Sequence, residues 1–157
     1  MSKTLVACFS ATGTTARLGR RLAALAGADF YEIRPAKPYT PADLDWMNSG
    51  SRSSVEMNDP DERPALADWD ARVEHCDTIL LGFPIWWYTA PRIVQTFLER
   101  YSFSGKRVIL FATSGGSGFG QTAELLRQSA PGARLEEGQV LCSNVSEAQL
   151  RGWLTSL

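Results

Sequence analysis

Apolar residues run almost without interruption through TLVACF (4–9), TILLGF (78–83) and RVILFAT (107–113), a pattern that predicts strands buried on both faces of a sheet. Two weaker runs, DFYEIR (29–34) and RLEEGQVLC (134–142), predict two more. Between them the apolar spacing becomes helical. Leu18, Leu22 and Leu25 form a stripe over 14–26, and Ile93, Val94, Phe97 and Leu98 form another over 90–100. Leu125 and Leu126 mark a helix over 119–129, and Leu150, Trp153 and Leu154 one over 146–154. Strand and helix alternate along the chain. The expectation is an α/β fold of three layers, α/β/α, with a five-stranded parallel sheet, right-handed crossovers and helices on both faces.

One stretch, 38–66, breaks this alternation inside what otherwise reads as a single domain spanning 1–157. Four of the eight prolines lie between Pro38 and Pro64, with the polar run NSGSRSS and the apolar residues Trp46, Met47, Val55 and Met57. Thr40-Pro41-Ala42-Asp43 has the form of an N-cap, a first-turn proline and a capping-box acid, so a short helix is predicted to start there. The remainder is too long for a bare connector and reads as an irregular cover.

Composition narrows the partners. The 157 residues are 44% hydrophobic and 21% charged with a formal net charge of -1, a balance that offers no basic face for nucleic acid or an anionic membrane. The chain enters a strand-like run within three residues and holds no apolar stretch of membrane-spanning length, so a cytoplasmic location is expected. Cys8, Cys76 and Cys142 are scattered, with neither a disulfide framework nor zinc-ligand spacing. His75 stands just before the third strand, at the sheet edge away from any ligand. Asp68, Asp70, Glu74 and Asp77 read as a solvated helix face, and no metal site is expected.

In an open α/β sheet, ligands bind beyond the carboxyl ends of the strands, where the winding reverses. Three loops fall there. After the first strand, Ser10-Ala11-Thr12-Gly13-Thr14-Thr15 leads straight into a helix. Unpaired backbone N–H groups at the helix start, with four hydroxyls, suit a phosphate. The loop lacks the Lys-Ser/Thr of a triphosphate-binding loop and the GxGxxG of a dinucleotide fingerprint, which leaves a monophosphate held by neutral donors. After the third strand, Pro84-Ile85-Trp86-Trp87-Tyr88 puts three large aromatics in succession before a helix for which Thr89 is the expected cap. Successive side chains cannot all face one core, so at least one ring should remain at the sheet edge to stack on a planar ligand. After the fourth strand, Thr113-Ser114-Gly115-Gly116-Ser117-Gly118 lets backbone N–H groups approach a flat ligand edge.

On SATGTT (10–15), PIWWY (84–88) and TSGGSG (113–118), the chain resembles short-chain flavodoxin-like FMN-binding proteins over essentially its whole length. The resemblance implies strand order 2-1-3-4-5 and non-covalently bound FMN. It also implies that Ser10, Thr12, Gly13, Thr14 and Thr15 wrap the phosphate, that Trp86 or Trp87, beside Tyr88, stacks on the isoalloxazine, and that Ser114, Gly115, Gly116, Ser117 and Gly118 meet its polar edge. Pro84, Ile85 and Thr113 would line the stretch between. No catalytic side chain is nominated.

Two departures bear on function. The near-neutral charge differs from the acidic surface of typical flavodoxins, which steers them to basic partners. Residues 85–88 contain no glycine, and bulky residues resist the positive φ that a redox-linked peptide turn there needs. A poorly stabilised flavin radical and a bias towards two-electron chemistry are therefore expected. Three roles stay open: an electron carrier serving a redox partner protein or a small-molecule acceptor, an NAD(P)H-dependent reductase of quinones or free flavin, and a non-catalytic flavin-binding module. For the reductase, Arg52 and Arg63 are candidates to meet dinucleotide phosphates. A receiver domain is excluded by Ser10 and Pro84 where acidic residues would stand, and a low-molecular-weight phosphatase by Thr14 in the place of its arginine.

Overall fold

Alternate side chains of a strand point to opposite faces, and in this chain both sets are apolar, so each central strand is covered twice. The computed structural model describes residues 3–114 and 118–157. Its strands are β1 (Thr4–Phe9), β2 (Asp29–Ile33), β3 (Thr78–Pro84), β4 (Arg107–Thr113) and β5 (Arg134–Leu141). All neighbours pair in parallel, in the order β2-β1-β3-β4-β5. The expected three-layer α/β/α architecture and strand order are those observed.

Helices α1 (Thr14–Ala26) and α5 (Glu147–Thr155) cover one face. There Leu18, Leu22, Leu150 and Trp153 pack on Val6, Cys8, Leu80, Ile109 and Phe111. Helices α3 (Arg92–Arg100) and α4 (Thr122–Ser129) cover the other, where Ile93, Val94, Phe97 and Leu126 meet Leu5, Ala7, Phe9, Ile79, Leu81, Phe83 and Leu110. Gly82 is fixed by this packing, since a Cβ there would stand 2.2 Å from the Phe111 ring. Gly138 occupies the bulge in β5, where the register against β4 shifts between Leu110 and Phe111. It is why the apolar pattern of this strand was weak: a glycine and three polar residues interrupt it.

The excursion between β2 and β3 is tied at its neck. Pro35 and Leu66 form an antiparallel bridge, with Ala36 N donating to the Ala65 carbonyl and Ala67 N to the Arg34 carbonyl, each at 2.8 Å. The helix expected at 40–43 does not develop. Thr40 and Asp43 do make the two reciprocal capping bonds, at 2.9 and 3.1 Å, but the chain after them stays in turns. The helix lies later, as α2 (Arg52–Asn58), capped by Ser51. The acidic stretch 68–72 is likewise not helical: only Val73–His75 forms a short 3-10 turn, and Asp68 accepts hydrogen bonds from the Tyr31 phenol and from Asp70 N. His75 lies with Lys3 and Asp29 at the amino ends of β1 and β2, opposite the site.

Candidate functional site

The loop after β1 enters α1 through Gly13, whose φ of 96° lies in the left-handed region that favours glycine. No side chain caps the helix and no acidic residue sits in its first turn. Its amino end is therefore an open set of backbone donors with partial positive charge. A Cβ on Gly13 would meet nothing within 4 Å, so the space before this helix end is clear. The hydroxyls of the loop divide into two kinds. Ser10 Oγ accepts from Gly13 N at 2.9 Å and shapes the turn, and Thr15 Oγ1, buried, bonds Thr113 Oγ1 at 2.8 Å. Thr12 and Thr14 line the cavity in front.

The loop after β3 is a tight turn. Trp86 N donates to the Thr89 carbonyl at 2.8 Å and Thr89 N to the Trp86 carbonyl at 3.0 Å. Both central residues have positive φ, 49° at Trp87 and 63° at Tyr88. This corrects the expectation that bulky residues would keep the loop out of that region. It also removes the stated ground for expecting a bias towards two-electron chemistry. The three rings separate as successive residues must. Trp86 turns inward, edge-on to Phe9 and Tyr39 at centroid distances of 5.7 and 5.5 Å. Trp87 remains 42% exposed and Tyr88 71%. Thr89 is not the cap of α3: Pro91 takes that position and the buried Thr89 Oγ1 has no hydrogen-bond partner.

At the third edge, Thr113 ends β4 and Ser114 follows, half-buried; Gly118 is exposed. Gly115, Gly116 and Ser117 lie outside the described residues.

A cavity of about 700 Å³ joins these edges. Thr12, Thr14 and Thr15 line it from the first loop, Pro84, Ile85, Trp86, Trp87 and Tyr88 from the second, and Thr113 from the third. Ser10, Gly13, Ser114 and Gly118 are not among its lining residues. Four residues outside the expected set join it: Ala11 from the first loop, and Leu44, Trp46 and Ser53 from the excursion. Trp46 is 68% exposed at the rim. A tryptophan in a segment too long for a connector was the available signal for it. Nothing in the sequence marked Ser53, because α2 packs through buried serines without an apolar stripe. None of these lining side chains is charged at neutral pH.

A polar network ties the excursion together and fastens it to α3. Glu56, buried on α2, accepts from the Tyr39 phenol at 2.5 Å and from Arg52 Nε at 2.9 Å. The Arg52 guanidinium lies 3.8 Å over the Tyr39 ring and donates to the Lys37 carbonyl. Burial, then the bond to Glu56, pushes the Tyr39 phenol well above the usual tyrosine range. Arg92 of α3 donates to the carbonyls of Glu56 and Met57 at the end of α2. Arg63 pairs with Glu99 at 3.0 Å. Arg52 and Arg63 are thus engaged within the protein, which counts against the reading that they receive dinucleotide phosphates.

A parallel sheet of order 2-1-3-4-5 with a neutral cavity at the carboxyl ends of β1, β3 and β4 defines a flavodoxin-like α/β protein. A sequence model for flavodoxins matches residues 3–157, and the chain belongs to the flavodoxin family. Among solved structures, a Bacteroides eggerthii protein provisionally described as a flavoprotein is 51% identical, with a TM-score of 0.92 over 99% of this chain and 98% of that one. A Bacteroides uniformis protein described in the same way is 49% identical, with a TM-score of 0.92 over 98% of each chain. A Lactobacillus acidophilus flavoprotein in complex with FMN shares the fold at 18% identity and a TM-score of 0.69, over 98% and 99% of the two chains. No curated protein sequence matches the chain.

Proposed function

We propose that this protein binds one FMN non-covalently in the 700 Å³ cavity and passes electrons through it to a partner. The observation that carries this reading is the joining of an uncapped helix start to an aromatic wall within one uncharged cavity. The donor set fits the group. The amino end of α1, with Thr12 and Thr14, offers neutral donors for a phosphate, and the clear space before Gly13 admits it. Ser10 and Thr15 act one step back, the first by setting the turn at Gly13 and the second by tying the loop to the end of β4. Trp87 and Trp46 supply exposed rings for a planar system, while Trp86 braces the wall from the core side. Pro84, Ile85 and Thr113 line the stretch between.

When bound, FMN supplies the redox chemistry through its isoalloxazine ring, and the protein orients that ring and excludes water from one side. A carrier is favoured over an NAD(P)H-dependent reductase by the engagement of Arg52 and Arg63 in internal pairs. Anaerobic mixing of the FMN-loaded protein with NADH and with NADPH tests this choice. The flavin absorbance is expected to persist with either nucleotide, and to bleach with dithionite and recover on addition of a one-electron acceptor protein. Bleaching by a nicotinamide nucleotide within the mixing experiment would assign the reductase role instead.

A further inference from the structure

The aromatic turn has open space on two sides. Besides the FMN cavity, Trp87 and Tyr88 line a second cavity of about 570 Å³ towards α3 and α4, which Thr89, Gly120 and Glu124 also border. Neither exposed ring is fixed by burial, yet the backbone between them is held in a conformation that tryptophan and tyrosine rarely adopt. Strain of this kind persists only where surrounding structure imposes it.

Besides the two hydrogen bonds between Trp86 and Thr89 that close the turn, a constraint comes from the segment that leads into α4. Gly120 has φ +57°, and a Cβ there would stand 2.8 Å from the Tyr88 carbonyl oxygen. Thr122 Oγ1, which donates to the Phe119 carbonyl, lies 3.5 Å from the same oxygen. This brace is itself anchored, because Thr122 and Phe119 are buried and the Phe119 ring meets Phe83 edge-on at 6.4 Å. Loop and turn therefore touch backbone to backbone, at a point where only a residue without a side chain fits.

We infer that Gly120 is a positioning residue of the cofactor site. By bringing backbone under the Tyr88 carbonyl, backed by Thr122, it holds the Trp87–Tyr88 turn in its left-handed form and thereby sets where the aromatic wall stands. The inference rests on the FMN reading above. A side chain at 120 displaces the carbonyl, and the displacement passes to the rings that line the cavity. The residue acts through the turn and need not touch the ligand.

The test uses Gly120→Asn, because asparagine tolerates positive φ but still brings a Cβ. Gly132→Asn is the control. Gly132 also has positive φ, +82°, and its Cβ would stand 2.7 Å from Ser104 Oγ, remote from the cavity. FMN titration is expected to show at least tenfold weaker binding for Gly120→Asn, with a shifted visible circular dichroism of the bound flavin and a shifted midpoint potential. Gly132→Asn is expected to lose stability while keeping wild-type affinity, dichroism and potential. Wild-type affinity and flavin dichroism in folded Gly120→Asn overturn the inference, as does an equal loss in Gly132→Asn. If Gly120→Asn does not fold, Thr122→Val carries the test: a weaker shift in the same direction supports the brace, and wild-type values for affinity, dichroism and potential overturn it. Failure of the wild-type protein to bind FMN overturns the FMN reading, and this inference with it.

Discussion

Gly82 shows how a single residue type is dictated by packing. It lies mid-strand in β3, where the Phe111 ring of β4 fills the space that a side chain would take, 2.2 Å from the position of a Cβ. Gly82→Ala forces that ring out of a tightly packed layer that also holds Leu80, Ile109 and Trp153, and overpacking of this kind costs about 1–3 kcal/mol. Urea unfolding of the apoprotein is expected to show a loss in that range with an unchanged slope. At this scale the sequence was informative about which residues matter and silent about their conformation. Three successive aromatics after a buried strand announced a ring at the sheet edge. That Trp87 and Tyr88 take positive φ was not legible, because hairpin turns of this form are ordinarily written with asparagine, aspartate and glycine. The donor roles of the hydroxyls were not legible either: Thr15 lies 98 positions from its partner Thr113.

Among the elements, α1, α3, α4, α5 and the three central strands were readable because each buries apolar residues in a pattern that matches its own period, whereas the edge strands β2 and β5 showed only as weaker runs. Helix α2 was not. Its seven residues bury Ser53, Ser54 and Glu56 beside Met57, so its contacts are hydrogen bonds and an ion pair instead of an apolar stripe. A capping box at Thr40 and Asp43 formed as the sequence specifies, but without apolar residues in helical spacing behind it no helix followed. The excursion therefore depends on polar anchors, of which Arg92 is the central one. Its guanidinium satisfies two carbonyls at the open end of α2 while remaining buried. Hydrogen bonds of this charged kind contribute about 1.5–3 kcal/mol. Arg92→Met is expected to raise the rate of limited proteolysis within 38–66 several-fold, with cleavage of the sheet and of α1 unchanged. Equal protection of this segment in both proteins would contradict the anchoring role.

For the molecule as a whole, burial of two hydrogen-bonded phenols makes stability sensitive to high pH. Burial first, then hydrogen bonds to Glu56 and Asp68, hold the phenols of Tyr39 and Tyr31 above the ordinary tyrosine value near 10. The native state therefore keeps protons that the unfolded chain releases above about pH 10, and stability falls as pH rises beyond that point. Below it these groups contribute no slope. Thermal unfolding of the apoprotein is expected to show a Tm that begins to decline near pH 9, where the unfolded chain releases the Cys8 thiol proton that burial retains in the native state. The Tm is expected to fall more steeply above about pH 10, with Tyr39→Phe flattening the steeper part. The architecture that sets these environments was legible at low cost, since a parallel sheet with covered faces needs only apolar runs and alternation. The cavity was legible in part, since residues of the loops after β1 and β3 line it together with Thr113 at the end of β4. Its fourth wall, Leu44, Trp46 and Ser53, comes from an excursion whose path is fixed by contacts distant in sequence. The central claim is that an uncapped, cation-free helix start holds the phosphate of FMN in this cavity. Equilibrium titration of the apoprotein with FMN, for wild type and for Thr12→Ala/Thr14→Ala, measures it directly. One FMN per chain with at least tenfold weaker binding by the double variant is the predicted result. An apoprotein that takes up no FMN, or a folded double variant with wild-type affinity, would contradict it.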